Sequence, residues 1–215
     1  GYQDAKFQAV SQSTYSFEID ESLVESSLKE KLEVEEIENE DKEDYERKFR
    51  LSESERYFYR DNYGEANRYN FAIKSNLYYD SETLFKKSVE ILIQNCESLK
   101  LEFIELLKEN QSRVSVEKMK EYIYHYEVLN ESHTLGNLIQ SHIMRRSISE
   151  DSIINLFGYK KPHPLEDKIL LIVSVNPTHK LNQQDEVNKV QNITAYILEC
   201  LDELLNDLRI LNKVT

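Results

Sequence analysis

The sequence predicts an α+β protein. It reads as two pseudo-symmetric half-domains, each a small sheet plus one long helix, with the long helices packed together and an acidic, partly ordered insert. Three observations carry this. Two stretches, 81–110 and 183–212, repeat apolar residues in alternating steps of three and four. Each follows a stretch with strand character. Between positions 18 and 56 runs a strongly acidic segment centred on EVEEIENEDKED.

Taken in order, residues 1–17 show short apolar stretches without a helical period. The acidic segment contains Leu23, Val24, Leu28, Leu32 and Ile37, spaced to allow one amphipathic helix within an otherwise solvated run. In 57–75, three aromatics at Tyr57, Phe58 and Tyr59 precede a turn around Asn62 to Gly64. Tyr69, Phe71 and Ile73 then alternate with Asn70, Ala72 and Lys74, the period of a strand with one buried face.

Asp80 or Ser81 can cap the first long helix, and Glu82 suits the positive end of its dipole. Its seam is Phe85, Val89, Leu92, Cys96, Leu99, Phe103 and Leu106, on a rod of about 45 Å at about 1.5 Å per residue. Leu84, Ile91, Ile93, Leu101, Ile104 and Leu107 widen the apolar face, so one side is expected on a sheet and another against a helix. Residues 111–117, QSRVSVE, read as a joint. Residues 122–129 alternate as the first strand of the second half. Thr134 can cap a helix from Leu135 that shows Leu135, Leu138, Ile139 and Ile143 on one face. Residues 153–159 read as a strand. Residues 160–167, with Pro162 and Pro164 bracketing His163, must be a loop, because proline cannot donate to a ladder. Residues 169–175 are β-branched and read as a further strand. The last helix carries Val187, Val190, Thr194, Ile197, Leu201, Leu204, Leu208 and Leu211 in its seam.

With 215 residues the chain can bury a sizeable core, and 4 Gly and 3 Pro argue against a fibrous or disordered protein. A net charge of −13 disfavours direct binding to a nucleic-acid backbone. Cys96 and Cys200 fall within apolar helical patterns and read as buried thiols. No run is apolar enough to span a bilayer, and no signal peptide is expected at the start. Because the sequence begins at Gly1 in what looks like mid-domain, we expect a longer parent protein.

No catalytic constellation emerges. His133 and His142 lack the i, i+3 or i+4 spacing of a helical metal pair. His133 reads as a hydrogen-bonded structural residue, and His163 as loop-shaping or an interface contact. Cys200 lies in no nucleophile motif, Gly136 and Gly158 stand outside any phosphate loop, and nothing apolar brackets the acidic run to raise a carboxylate pKa. The expectation is a chain with no catalytic residue, no cofactor and no metal of its own.

Three ordered blocks are more specific: His133-Thr134-Leu135-Gly136-Asn137-Leu138, then Gly158-Tyr159-Lys160, then Pro162-His163-Pro164-Leu165-Glu166-Asp167-Lys168. They resemble the eleventh-subunit type of multi-subunit DNA-directed RNA polymerase over about half the chain. Asp4-Ala5-Lys6-Phe7 and Phe71-Ala72-Ile73-Lys74-Ser75 are similar to parts of its larger partner, the third-subunit type, although Asp4 stands where that family has His. No Cys precedes position 96, so the four-cysteine zinc site of several third subunits cannot form here.

The resemblance implies a remnant of the third-subunit insert domain over 1–56. A third-subunit-like dimerisation half would follow over 57–112, and an eleventh-subunit-like half over 113–215. The two halves would be fused, as in some large double-stranded DNA viruses. It further implies a non-catalytic assembly platform that meets the second-largest subunit and small zinc-binding subunits. If the source is viral, the virion and the host cytoplasm or nucleus follow as locations. Two other readings stay open: a coiled-coil adaptor unrelated to polymerase, which leaves the 158–168 block unexplained, and a small hydrolase, which lacks a nucleophile.

Overall fold

The computed structural model describes residues 4–34, 41–62, 64–76, 79–147 and 152–214. They form an α+β chain with a two-stranded and a four-stranded antiparallel sheet and two long helices. The chain divides into two compact units, Gly1–Leu84 and Phe85–Thr215.

In the first unit, β1 (Val10–Phe17) pairs antiparallel with β2 (Tyr69–Ser75), and the acidic segment is inserted between them. That segment forms α1 (Glu21–Val34) and α2 (Lys42–Ser52). The Asp20 carboxylate caps α1 by accepting from the backbone N–H groups of Ser22 at 3.1 Å and Leu23 at 3.3 Å. Val24, Leu28 and Phe49 make a small buried cluster with Ile19, Leu32, Tyr45 and Tyr57 around it. Leu23, expected on the same face, is exposed, one residue out of phase with Val24 and Leu28. Ile37 lies outside the described residues.

The expectation of a buried face on β2 is corrected. Tyr69 is 44% exposed and Phe71 61%, while Ile73 is half-buried and Phe58 packs on Phe17 of the same side at 4.6 Å, because two strands alone give these side chains few neighbours to enclose them.

α3 (Ser81–Leu107) starts on Asp80, whose carboxylate accepts from the Thr83 N–H at 2.7 Å, while the Ser81 hydroxyl donates to the Ile73 carbonyl. Glu109, at φ 58°, follows its end.

The second unit holds the main core. Its sheet runs β3-β4-β6-β5, from β3 (Val114–Lys120), β4 (Ile123–Leu129), β5 (Ile154–Lys160) and β6 (Lys168–Val175). β3 corrects the joint expected at 111–117. It is an edge strand whose only buried side chain is Val114, so its lysines and glutamate conceal the strand period. α4 (His133–Arg146) begins at His133, with Ser132 at the N-cap in extended conformation. Thr134, expected at the N-cap, is therefore inside the first turn, two residues past the observed cap position. α5 (Glu186–Val214) is capped by Asp185, which accepts from the Asn188 N–H at 2.8 Å.

A candidate assembly surface

Along α3, the expected seam residues Val89, Cys96, Leu99 and Phe103 are buried, while Phe85, Leu92 and Leu106 are half-buried. Ile91 and Leu101 are exposed, so the apolar face is narrower there than expected. On α5, Ile197, Leu201, Leu204 and Leu208 are buried and Val190 is half-buried. Val187 is exposed, in the first turn, and Leu211 is exposed near the other end.

A two-position heptad misses three of the most buried side chains of α5: Ile193, Cys200 and Leu205. They fall on the i+3/i+4 neighbours of the seam, and the wider stripe they make is what a helix needs when it covers a sheet as well as other helices. Tyr126 of β4 shows this: its ring packs on Phe103 of α3 at 5.9 Å, and its hydroxyl meets Thr194 of α5 at 3.1 Å.

The two long helices run antiparallel where they meet. Lys100 pairs with Asp202, Arg209 with Glu97 at 2.6 Å, and Leu106 faces the first turns of α5 across a groove. That groove has a volume of about 300 Å³ and is lined by Leu106, Val116, Val187 and Val190, with Glu186 at its edge. Glu186 accepts from Lys118 at 2.7 Å, from Lys189 at 3.0 Å and from the Tyr124 hydroxyl at 3.0 Å, which together pull its carboxyl down to about 2.

A folded pKa below the unfolded one adds stability above the unfolded value and loses it as pH falls toward the folded value. Glu186→Gln is thus expected to lower the unit's stability at pH 7 by less than about 1 kcal/mol, since the group is half solvent-screened. Urea titrations of the two proteins should converge as pH is taken from 5 toward 2.

The first two sequence blocks come together where α4 crosses β5, and the third forms the loop from β5 into β6. Gly136 is buried beneath the ring of Tyr159; a Cβ there would stand 2.5 Å from its Cδ2. Gln140 accepts from the Tyr159 N–H at 3.1 Å, and Leu135, Ile139 and Ile143 carry the apolar face inward, with Leu138 half-buried. Thr134 and Asn137 point to solvent. His133 is exposed and sets its ring edge-on to Tyr159 at 5.8 Å; among the described residues it makes no hydrogen bond, contrary to expectation, because the helix start leaves it facing the strand.

A Cβ added at Gly158 would meet nothing within 4 Å. In the loop, His163 Nδ1 accepts from the Leu165 N–H at 3.1 Å, which shapes the turn between the exposed Pro162 and Pro164 and leaves Leu165 90% exposed at its tip.

Sequence reasoning missed a polar network beside this crossing. Arg113 donates to Glu131 at 2.8 Å and to Ser98, and lies 3.6 Å from Glu102. Burial pushes the Glu131 carboxyl above its ordinary range against the pull of Arg113. The residues are 18 apart in the chain, and no periodicity announces the pair. On the far side, Arg146 pairs with Glu199 at 3.1 Å and Glu203 at 3.0 Å and sits over the Tyr196 ring, which pins α4 to α5.

Cys96 and Cys200 are free and buried, and burial pushes both thiols up to about 11, which removes them as thiolate nucleophiles at neutral pH. Among the described residues no group of three His, Cys, Asp or Glu side chains is gathered as a metal site needs, and no helix is long and apolar enough to cross a membrane. What the arrangement offers is a helix-lined, sheet-backed packing surface.

Comparison with known proteins bears on this same region. Residues 124–213 match the family model of the RNA polymerase Rpb3/Rpb11 dimerisation domain, a span that opens in β4 and closes in α5. The probable DNA-directed RNA polymerase II subunit RPB11 of Caenorhabditis elegans is 41% identical over 46 residues, 21% of this chain and 34% of that protein. The chain thus spans about a third of the length of this curated relative.

Proposed function

We propose that this chain is a non-catalytic assembly subunit of a DNA-directed RNA polymerase. In this reading a third-subunit-like half (57–112) and an eleventh-subunit-like half (113–215) are fused, the arrangement the resemblance associates with large double-stranded DNA viruses. The observation that carries it is the coincidence of the dimerisation-domain match with the α4–β5 crossing and with α5, the helix that shares a core with α3. Two partners that would otherwise meet as separate chains are closed on each other within one polypeptide, so no association entropy opposes the pairing.

The outer surface then holds the large catalytic subunits in register. Its partners are the second-largest subunit and small zinc-binding subunits. Nucleotide addition belongs to the large subunits, and this chain carries no cofactor. A rod-like adaptor is the weaker reading: α5 gives Ile193, Ile197 and Leu201 to the same core as the sheet, which a free coiled coil has no use for.

The test is reconstitution. With the tagged full-length chain co-expressed alongside the large and small polymerase subunits of its source, a complex containing both large subunits should be recovered and should extend a primed template. Omission of the chain should lower recovery at least tenfold. Equal recovery and activity without it overturns the assembly role.

A further inference from the structure

α3 belongs to the main core but reaches the rest of it through one short connection. Cys96, Leu99 and Phe103 of α3 are fully buried there, and the other buried members of that core lie between Val114 and Leu208. Residues 108–113 alone lead from the end of α3 to the start of β3.

Backbone hydrogen bonds carry this elbow as far as Asn110, whose N–H donates to the Glu105 carbonyl at 3.0 Å. Just before it, Glu109 sits at φ 58°, in the left-handed region where a side chain is crowded. Beyond Asn110, side chains of α3 hold the bend. The Ser112 hydroxyl is shared between the Glu102 carbonyl at 2.9 Å and the Glu102 carboxylate at 3.0 Å. The same carboxylate accepts from the Arg113 backbone N–H at 2.9 Å and lies 3.6 Å from the Arg113 guanidinium. Ser112 Oγ in turn accepts from the Val114 N–H at 3.0 Å, at the first residue of β3.

The seat of α3 can be filled in two ways. A bent elbow supplies the helix from the same chain, and a straightened one supplies it from a second copy. The Phe103–Tyr126 ring contact and the pairs Lys100–Asp202 and Glu97–Arg209 join the same residues in both cases, so they do not choose between them. Bending holds α3 beside its seat at an effective concentration in the millimolar range, which favours the helix of the same chain. Straightening relieves Glu109 and gives up the bonds to Glu102.

We propose that Glu102 is a latch that keeps α3 in the core of its own chain. Its release lets two copies exchange α3, with residues 1–84 carried along, into a closed reciprocal dimer. The occupant is a second copy because the seat is cut for this helix. The inference rests on the elbow and on the place of α3 in the core, not on the polymerase reading, so each can fail alone.

The test uses the full-length protein with Glu97→Cys and Arg209→Cys, refolded from urea at high protein concentration and joined by a short bismaleimide. Cys96 and Cys200 are buried with thiols pushed up to about 11, so the reagent goes to the introduced pair. With Glu102 in place the cross-link should stay within one chain. Glu102→Ala should raise the share of cross-links between two chains at least fivefold. Glu102→Gln, which keeps an acceptor oxygen for the Arg113 N–H, should raise it less than twofold. Deletion of Asn110 and Gln111 leaves too few residues to bend. It should give a dimer by light scattering, folded by circular dichroism and cross-linked almost wholly between chains. An unchanged share in Glu102→Ala, an equal rise in Glu102→Gln, an interchain share already high with Glu102 present, or a deletion variant that unfolds or stays monomeric overturns the proposal.

Discussion

Leu201→Asp is expected to abolish the native state of the Phe85–Thr215 unit. Leu201 is 1% exposed, in the stripe of α5 that shares a core with α3, α4 and the sheet. The substitution forfeits burial worth about 1.5–3 kcal/mol. It also buries a carboxylate in an apolar core, at a cost of several kcal/mol more. The sum rivals the whole stability of a domain, about 5–15 kcal/mol. Leu92→Asp, at a half-buried position, should cost roughly 1–3 kcal/mol, and Leu101→Asp, on the exposed flank of the same helix, about 0.5 kcal/mol or less. Urea unfolding followed by far-UV circular dichroism separates the three. A cooperative transition for Leu201→Asp at the wild-type midpoint would sink the core assignment of α5. In the polymerase reconstitution the same variant should fail to assemble, while Leu101→Asp should assemble.

Gly136→Ala carries the second large effect, and its sign is not what helix propensity alone suggests. In an open helix the change stabilises by about 1 kcal/mol. Here the new methyl would stand 2.5 Å from Cδ2 and 2.9 Å from Cγ and Cε2 of Tyr159, distances that force the ring or α4 to move. The ring is held between the helix and the edge of His133, and its own backbone N–H is tied to Gln140 of α4. Overpacking of this kind costs about 1–3 kcal/mol, so a net destabilisation is expected.

The cause can be isolated. Tyr159→Ala should be more harmful in the wild type than in the Gly136→Ala background, a coupling of about 1–3 kcal/mol in a double-mutant cycle. Gly158→Ala, where a Cβ meets nothing, should be close to neutral. Additive effects at 136 and 159 would show that the contact does not set the spacing of α4 on β5.

This contact joins the first two sequence blocks. A small residue on α4 and an aromatic on β5 are two sides of one close approach, and the His163 turn returns β5 into β6 so that the strand carrying Tyr159 is paired along its length.

Much of the second half was legible because β4 alternates and β6 is a run rich in β-branched residues. Their core-facing sets Tyr124, Tyr126, Val128 and Ile169, Leu171, Val173 are buried on one face. The long helices announce themselves through apolar stripes of three or more turns and the first also through its cap at Asp80, whereas the Asp185 cap of α5 emerged only from the structure. β3 escaped because an edge strand buries one side chain and leaves the rest to solvent, which erases the alternation. The buried face assigned to β2 was misplaced for the opposite reason: alternation marks which residues share a side, and says nothing of whether anything covers it.

Chain order and periodicity alone therefore determined that this protein is built of strands and two long amphipathic helices, and which side of each carries its apolar residues. Only the tertiary structure decided what those sides meet. It revealed that α5 needs a third row of buried residues and that Glu131 is buried with Arg113 as its partner. It also revealed that Gly136 exists for the ring of Tyr159, while Tyr15 and Tyr69 stand open to water. The reason is physical: local pattern sets direction relative to the backbone within a few residues, whereas burial and pairing depend on groups brought together across tens of positions.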